Sequence, residues 1–346
     1  MSQSADFLEV LRRNGHVVDP QARLTPFSGG VSSEIYLVED GSNKFVVKRA
    51  LPKLKVKDDW FADVSRNASE WDYLACVSRM IPGAVPQLYF SCPVEGYFGM
   101  EYLGAGFSNW KDLLLAGEFN TRHAELAARI LGEIHERTAA NAAFLKQFDT
   151  TANFHQLRVE PYLLTAGARN PTLRPIFESE ARRIESTREA LVHGDFSPKN
   201  ILIKGDRMVL LDCEVAWYGD PVFDVAFLLN HLFLKSLHHA PRGVELDGML
   251  DVMPDVMIDA FWRTYAMKRS ATDTAAIERR LVPLLLMLML ARVDGKSPVE
   301  YLTPAKREFL RAFIYQHLPS PPDSLADMRG IWFSAITASD FIGAQA

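Results

Sequence analysis

Apolar and polar positions divide the chain into two stretches of different rhythm. In the first hundred residues the apolar positions fall in short β-type runs. Glu34–Val38 and Lys44–Arg49 read as a hairpin around a turn at Asp40–Gly41, and "PQLYFSCPVEGYFGMEYLGAG" supplies two more strands. Between these pairs, "DDWFADVSRNASEWDYLACVSRM" spaces its apolar residues as an amphipathic helix does, with Asp58 or Asp59 near its start. A glycine-containing break at Gly104–Gly106 ends the pattern. Helical periodicity then takes over in "AELAARILGEIHERTAAN" and "RPIFESEARRIESTREALV", and again from Asp224 to the end. One strand pair interrupts it, Ile201–Ile203 and Met208–Leu211, around a Gly205–Asp206 turn. The pattern predicts a small β-rich part over residues 1–103 and a larger helical part over 104–346.

Size and composition narrow the class. A chain of 346 residues, 48% hydrophobic and 23% charged, is long enough for two domains or for one domain split around a cleft. Its net charge of −5 gives no support to nucleic-acid or anionic-membrane binding, which favour a basic face, and is compatible with a cationic or neutral substrate. Cys76, Cys92 and Cys213 are far apart and form no CxxC pair, which disfavours a disulfide framework or a structural zinc site. Reduced thiols, and an N-terminus without a long apolar core, predict a cytoplasmic protein. The longest apolar run, "LVPLLLMLML" from Leu281, is too short to cross a bilayer and reads as a buried helix.

Candidate chemistry lies in "LVHGDFSPKNILI", where polar groups crowd between two apolar runs. Such groups belong at a loop held by a rigid scaffold. Asp195 is followed five residues later by Asn200 and seventeen later by Asp212. Asn200 opens the strand "ILI" and Asp212 ends "MVLLD", so a hairpin brings both to one rim. Oxygen donors of this kind suit Mg²⁺, which binds through few protein ligands and keeps room for phosphates. Asp195 needs no metal in this arrangement and can accept a proton from an attacking hydroxyl.

"HGDFSPKN" followed by "LLDCE" resembles the catalytic and metal-binding segments of the aminoglycoside phosphotransferase/choline kinase-like family. The resemblance continues through "WYGDPVFDVAFLLNHL". It implies an α+β, bilobal protein-kinase-like fold, with a five-stranded antiparallel sheet and one helix in the N-lobe and a helical C-lobe. It also implies roles. The Asp195 carboxylate orients or deprotonates the acceptor hydroxyl, Asn200 and Asp212 hold Mg²⁺ on the nucleotide phosphates, and Asp224 braces the catalytic loop.

The N-terminal part supplies a separate check, since a kinase needs a cation on the phosphates held by a carboxylate from a helix. Lys48 lies in the third candidate strand on the same side as Val46, and Glu70 shares a helix face with Leu74 and Val77. A charge on that face points at the sheet, and the resemblance makes Lys48 its partner. "FSGGVSS", with Ser28, Gly29 and Gly30, takes the place of the phosphate-covering loop through its backbone N–H groups. It departs from GxGxxG, and no Gly-Lys-Ser/Thr follows to make a Walker A loop. The adenine falls at the connector carrying Met100, Glu101 and Leu103, read by backbone groups. The expected donor is ATP, with GTP as the alternative. The acceptor is a small hydroxylated molecule (an aminoglycoside, amino alcohol, homoserine, thioribose or other sugar), and the protein is a monomer or homodimer.

Blander readings compete at each position. His193 reads as a loop brace or as a metal ligand with Asp195, though no second HxH or HD cluster supports the latter. Lys48 alone is a strand-end charge, and Glu70 has Arg66 and Arg79 as rival partners. Lys199 is a phosphate contact or an exposed loop charge, Asp220 a helix cap, His123 and His135 packing or surface residues. Trp110, Trp217 and Trp262 are open candidates for a substrate pocket. A protein kinase is disfavoured: "CEVAWYGDPVFD" leaves no room for an activation segment, Asp-Phe-Gly and Ala-Pro-Glu are missing, and Ser197 stands where protein kinases usually carry a Lys. A catalytically silent nucleotide binder is disfavoured by the intact Lys48, Asp195, Asn200 and Asp212.

Overall fold

The computed structural model describes residues 3–27, 33–51, 66–240, 249–267, 271–339 and 341. Helix α1 (Gln3–Arg13) precedes strands β1 (Arg23–Pro26), β2 (Ser33–Asp40) and β3 (Asn43–Ala50). Helix α2 (Arg66–Met80), β4 (Leu88–Cys92) and β5 (Tyr97–Glu101) complete the N-terminal part. The five strands form one antiparallel sheet in the order β1-β2-β3-β5-β4. The predicted first hairpin is present, closing at Asp40↔Asn43 with Gly41 at φ +62°, the left-handed backbone that a two-residue turn needs. Lys48 sits on the central strand, opposite Ile35 on one side and Phe98 on the other, so its stem is buried by construction.

Two helices, not one, pack on this sheet. Helix α1 lays Phe7 and Leu11 against Tyr36, Val38, Phe45 and Tyr97 on the face away from α2. Its polar terminus masked the two core positions in the sequence pattern. The proposed start of α2 at Asp58 or Asp59 lies outside the described residues, as does the loop with Ser28, Gly29 and Gly30.

The helical part begins with β6 (Ser108–Asn109), α3 (Trp110–Leu115), α4 (Thr121–Thr138), α5 (Ala142–Gln147) and α6 (Thr151–Phe154). A π-helix, His155–Leu164, leads into α7 (Thr165–Arg169) and α8 (Arg174–Ser186). Next come β7 (Ala190–Val192), a 3₁₀ turn at Pro198–Asn200, β8 (Ile201–Lys204), β9 (Arg207–Leu210), β10 (Trp217–Gly219) and α9 (Val222–His239). Helices α10 (Met249–Ala266), α11 (Ala271–Asp294), α12 (Pro304–His317) and α13 (Leu325–Thr337) follow. The sequence reading carried the helix of "RPIFESEARRIESTREALV" through to Val192. Instead Thr187 turns extended at ψ 132°, and Ala190–Val192 pairs with Trp217–Gly219 as a strand.

Helix α9 is buried on every side from Val222 to Leu237, and "LVPLLLMLML" of α11 packs against it. A helix without a polar face belongs at the centre of a domain. Trp110 and Trp217 are fully buried and Trp262 nearly so, which makes all three core residues and not pocket lining. Among the described residues no helix is long and apolar enough to cross a membrane, and the three cysteines are free thiols.

Candidate active site

The loop between β7 and β8 is rigid for local reasons. Gly194 has φ +76°, and a Cβ there would lie 2.6 Å from the Val215 carbonyl oxygen, so no side chain fits. Buried Asp224, at the start of α9, accepts from the backbone N–H groups of His193 (2.7 Å) and Gly194 (2.9 Å). His193 is buried between Tyr73 and Phe196. Its Nδ1 accepts from the Asp195 N–H at 3.2 Å, and burial lowers its pKa, so the neutral ring acts as a brace. His135 of α4 adds an outer layer, 3.4 Å from Asp224 and 2.9 Å from the Tyr265 hydroxyl.

This frame presents Asp195 with one oxygen held and one open. Oδ2 meets the Arg158 guanidinium at 3.0 Å and the Lys199 ammonium at 2.9 Å. Oδ1 is buried and has no hydrogen-bond partner among the described residues. A buried carboxylate oxygen left without a donor is costly unless something arrives to satisfy it. Asn200 Nδ2 donates to the Asp195 carbonyl at 3.0 Å, and the Asn200 carbonyl accepts from Leu211 N–H at 2.9 Å. The hairpin therefore sets Asn200 beside the residue that precedes Asp212.

Across the cleft, Lys48 Nζ lies 2.7 Å from Glu70 and 2.5 Å from Asp212. Neither Arg66 nor Arg79 takes Glu70; Arg66 is fully buried and pairs with Glu214 at 3.0 Å. Carboxylate oxygens of Glu70, Asp212 and Glu214 all lie within 4.8 Å of one another. Burial, with the nearby charges of Asp212 and Glu214, pushes the Glu70 carboxyl up to about 7 against the pull of Lys48. Burial also opposes the charge on Asp212, but Lys48 and Lys199 outweigh it and hold its pKa well below the usual carboxylate range. Lys48 in turn is held above its ordinary value by Asp212, Glu70 and Glu214 despite full burial. Three carboxylates around one ammonium leave negative charge that a hard divalent cation would offset. Asp212 is the least buried of the three, and its backbone is left-handed at φ +59°, a conformation that costs a non-glycine residue about 1 kcal/mol.

The connector residues are split. Met100 is buried in β5 opposite Val46. Glu101 pairs its carboxylate with Arg207 of β9 at 2.8 and 3.1 Å, and its N–H donates to the Gln87 carbonyl. Leu103 is partly buried just beyond the strand. Two site residues escaped the sequence reading, Arg158 and Glu214. Glu214 was in view two residues after Asp212. Arg158 carried the signal used for Glu70, a charge among apolar helical positions (Leu157, Val159, Tyr162, Leu163) that needs a buried partner.

A β-rich lobe over a helical one, with a strand lysine paired to a helix glutamate and facing a carboxylate hairpin, is the fold of a kinase-like phosphotransferase. Residues 23–250 match the family model described as "Phosphotransferase enzyme family", and the chain belongs to that family of small-molecule phosphotransferases. A methylthioribose kinase of Yersinia pseudotuberculosis serotype O:1b is 24% identical over 300 residues, covering 77% of this chain and 72% of that protein. An amicoumacin kinase in complex with AMP-PNP, Ca²⁺ and Ami superposes with TM-score 0.58 at 13% identity, covering 92% of this chain and 95% of that one. A microcompartment-associated aminopropanol kinase does so with TM-score 0.53 at 16% identity, covering 96% and 99%.

Proposed function

We propose that the chain moves the γ-phosphoryl group of Mg²⁺-ATP to a hydroxyl of a small molecule, within the larger part that follows the sheet. The observation that carries this reading is Lys48 held between Glu70 and Asp212, opposite an Asp195 whose Oδ1 is buried and unpaired. The sequence separates Lys48 from Asp212 by 164 residues, and their contact supports a shared site. When bound, Mg²⁺-ATP supplies the transferable phosphoryl group and a divalent charge that offsets its oxygens.

The chain's own residues do the rest. Lys48 donates to phosphate oxygens and Glu70 keeps it aimed. Asp212 and Asn200 hold the metal, with Glu214 within reach. Asp195 takes the acceptor's proton on Oδ1, while Arg158 and Lys199 fix the other oxygen. The Met100–Leu103 connector would meet the base through its backbone groups. Most of the acceleration then comes from positioning and electrostatics, since phosphoryl transfer asks little covalent help of the protein. Kinases of methylthioribose and aminopropanol among the similar proteins support a hydroxylated acceptor.

ADP release measured across aminoglycosides, amino alcohols, sugars and nucleosides tests the reading. Turnover with at least one class, lost in Asp195→Ala while Mg²⁺-ATP still binds, supports it. A wild-type protein that binds ATP and turns over nothing in the panel points instead to a silent nucleotide binder.

A further inference from the structure

Basic side chains collect around and beyond Asp195. Arg158 and Lys199 are engaged by Asp195, and Lys111 of α3 pairs with Glu300. Two further cations make no ion pair among the described residues, although Glu300 acts on Lys235 through its charge. Among the described residues the Arg292 guanidinium of α11 donates to the neutral hydroxyls of Tyr162 (3.1 Å) and Ser297 (3.0 Å), and its buried Nε has no partner. Lys235 of α9 is 1% exposed, and among the described residues its ammonium makes no hydrogen bond or ion pair; it sits 5.1 Å from the Tyr301 ring centroid. The Tyr301 hydroxyl is itself buried and unpaired.

These groups are linked to the catalytic aspartate by contact. Arg158 lies over the Tyr162 ring at 5.6 Å, and Arg292 over the same ring at 5.7 Å. His231 lies one turn from Lys235 on α9, the spacing that puts both on one face, and feels the charges of Lys235, Arg292, Lys199 and Lys111. Burial first, then Lys111 and Arg292, push the Lys235 ammonium down to about 7, with Glu300 opposing. Lys111 and Arg292 are partly exposed, so the strip reaches solvent.

We propose that Lys235 and Arg292, with the Tyr301 hydroxyl, bind an anionic group of the acceptor (a carboxylate or phosphate on a small hydroxylated molecule) and so turn its hydroxyl toward Asp195. This rests on the kinase reading above. The mildly acidic net charge, compatible with a cationic or neutral acceptor, describes the whole surface, whereas the acceptor meets only the charges around Asp195.

Two matched series test the proposal on the full chain. One is glycerate, glycerol 3-phosphate, glycerol and 3-aminopropane-1,2-diol; the other is gluconate and glucitol. Each is followed by ADP release and, with AMP-PNP and Mg²⁺ present, by calorimetric titration. The expected result is that anionic members bind about tenfold or more tightly than the neutral and cationic ones. Glycerate against glycerol 3-phosphate tells carboxylate from phosphate. Lys235→Met and Arg292→Gln, shown to be folded by thermal denaturation, lose that preference while AMP-PNP affinity stays unchanged. Preferred turnover of the neutral or cationic members overturns the inference and leaves the kinase standing. Anions that bind without turnover in any arm support the anion site and count against the kinase. No anion binding to the wild type, or equal binding to Lys235→Met, overturns the inference whatever the turnover.

Discussion

Two ends of one cleft carry opposite imbalances. At the sheet end, Glu70, Asp212 and Glu214 share Lys48, with Arg66 behind Glu214. At the helical end, Arg158, Lys199, Arg292, Lys235 and Lys111 face Asp195 and Glu300. An excess of acid reads as room for a divalent cation, and an excess of base as room for an anion. Asp195 stands where the two meet. Charged groups buried without partners destabilise a fold, so both excesses make sense as sites completed by what binds there.

The largest effect should come from the residue between the two ends. Asp195→Ala is expected to lower kcat by on the order of 10²–10⁴ with Mg²⁺-ATP affinity nearly unchanged, measured by ADP release and nucleotide titration. Loss of nucleotide binding in parallel would instead tie Asp195 to the sheet end.

Lys48→Met attacks the acidic end directly. It leaves Glu70 and Asp212 beside Glu214 without their ammonium, which should cost about 3 kcal/mol in denaturant unfolding and on the order of 10²-fold in kcat. Added Mg²⁺ should recover part of that stability; a Mg²⁺-independent loss would speak against a cation site among these carboxylates.

Lys235→Met should do the reverse at the basic end and raise Tm. The Lys235 pKa is lowered to about 7 in the folded protein, with Lys111, Arg292, Glu300, His231 and Tyr301 facing it. Its stabilising share is therefore present at high pH, shrinks as pH falls toward 7, and is lost below that value. The Tm gain of Lys235→Met should be largest at or below pH 7 and fade toward pH 9. A Tm loss at pH 7 would mean that the ammonium is held by a structural partner.

The smallest effect belongs to the clamp between the lobes. Glu101→Gln breaks a partly exposed pair with Arg207 and should change stability by less than about 1 kcal/mol and ADP-release kinetics by less than about twofold. A tenfold rise in KM for ATP would show that the connector side chain, and not only its backbone, meets the nucleotide.

Much of this arrangement was legible along the chain. Asp195, Asn200 and Asp212 stand out because a short hairpin of known period fixes where its ends point. Lys48 alone reads as a strand-end charge, and stands out only with Glu70 on the helix that follows and the family resemblance. Helix α1 was missed because its apolar stripe, Phe7 to Leu11, spans little more than one turn between polar ends, and strand β7 because "ALV" continues the preceding helical rhythm. Arg158 was missed because its partner is 37 residues away in a loop whose course local pattern does not reveal.

Sequence alone determined the passage from a β-rich part to a helical one, the hairpin that carries the polar rim and the strand that holds the lysine. All of these depend on spacings of two to five residues, which the backbone turns directly into direction. Tertiary packing decided which charges meet. Lys48 reaches Asp212 across 164 positions, while Lys235 makes no ion pair among the described residues. Coulomb energies in a dry interior depend on distances of a few ångströms, and those are set only when every helix has been packed.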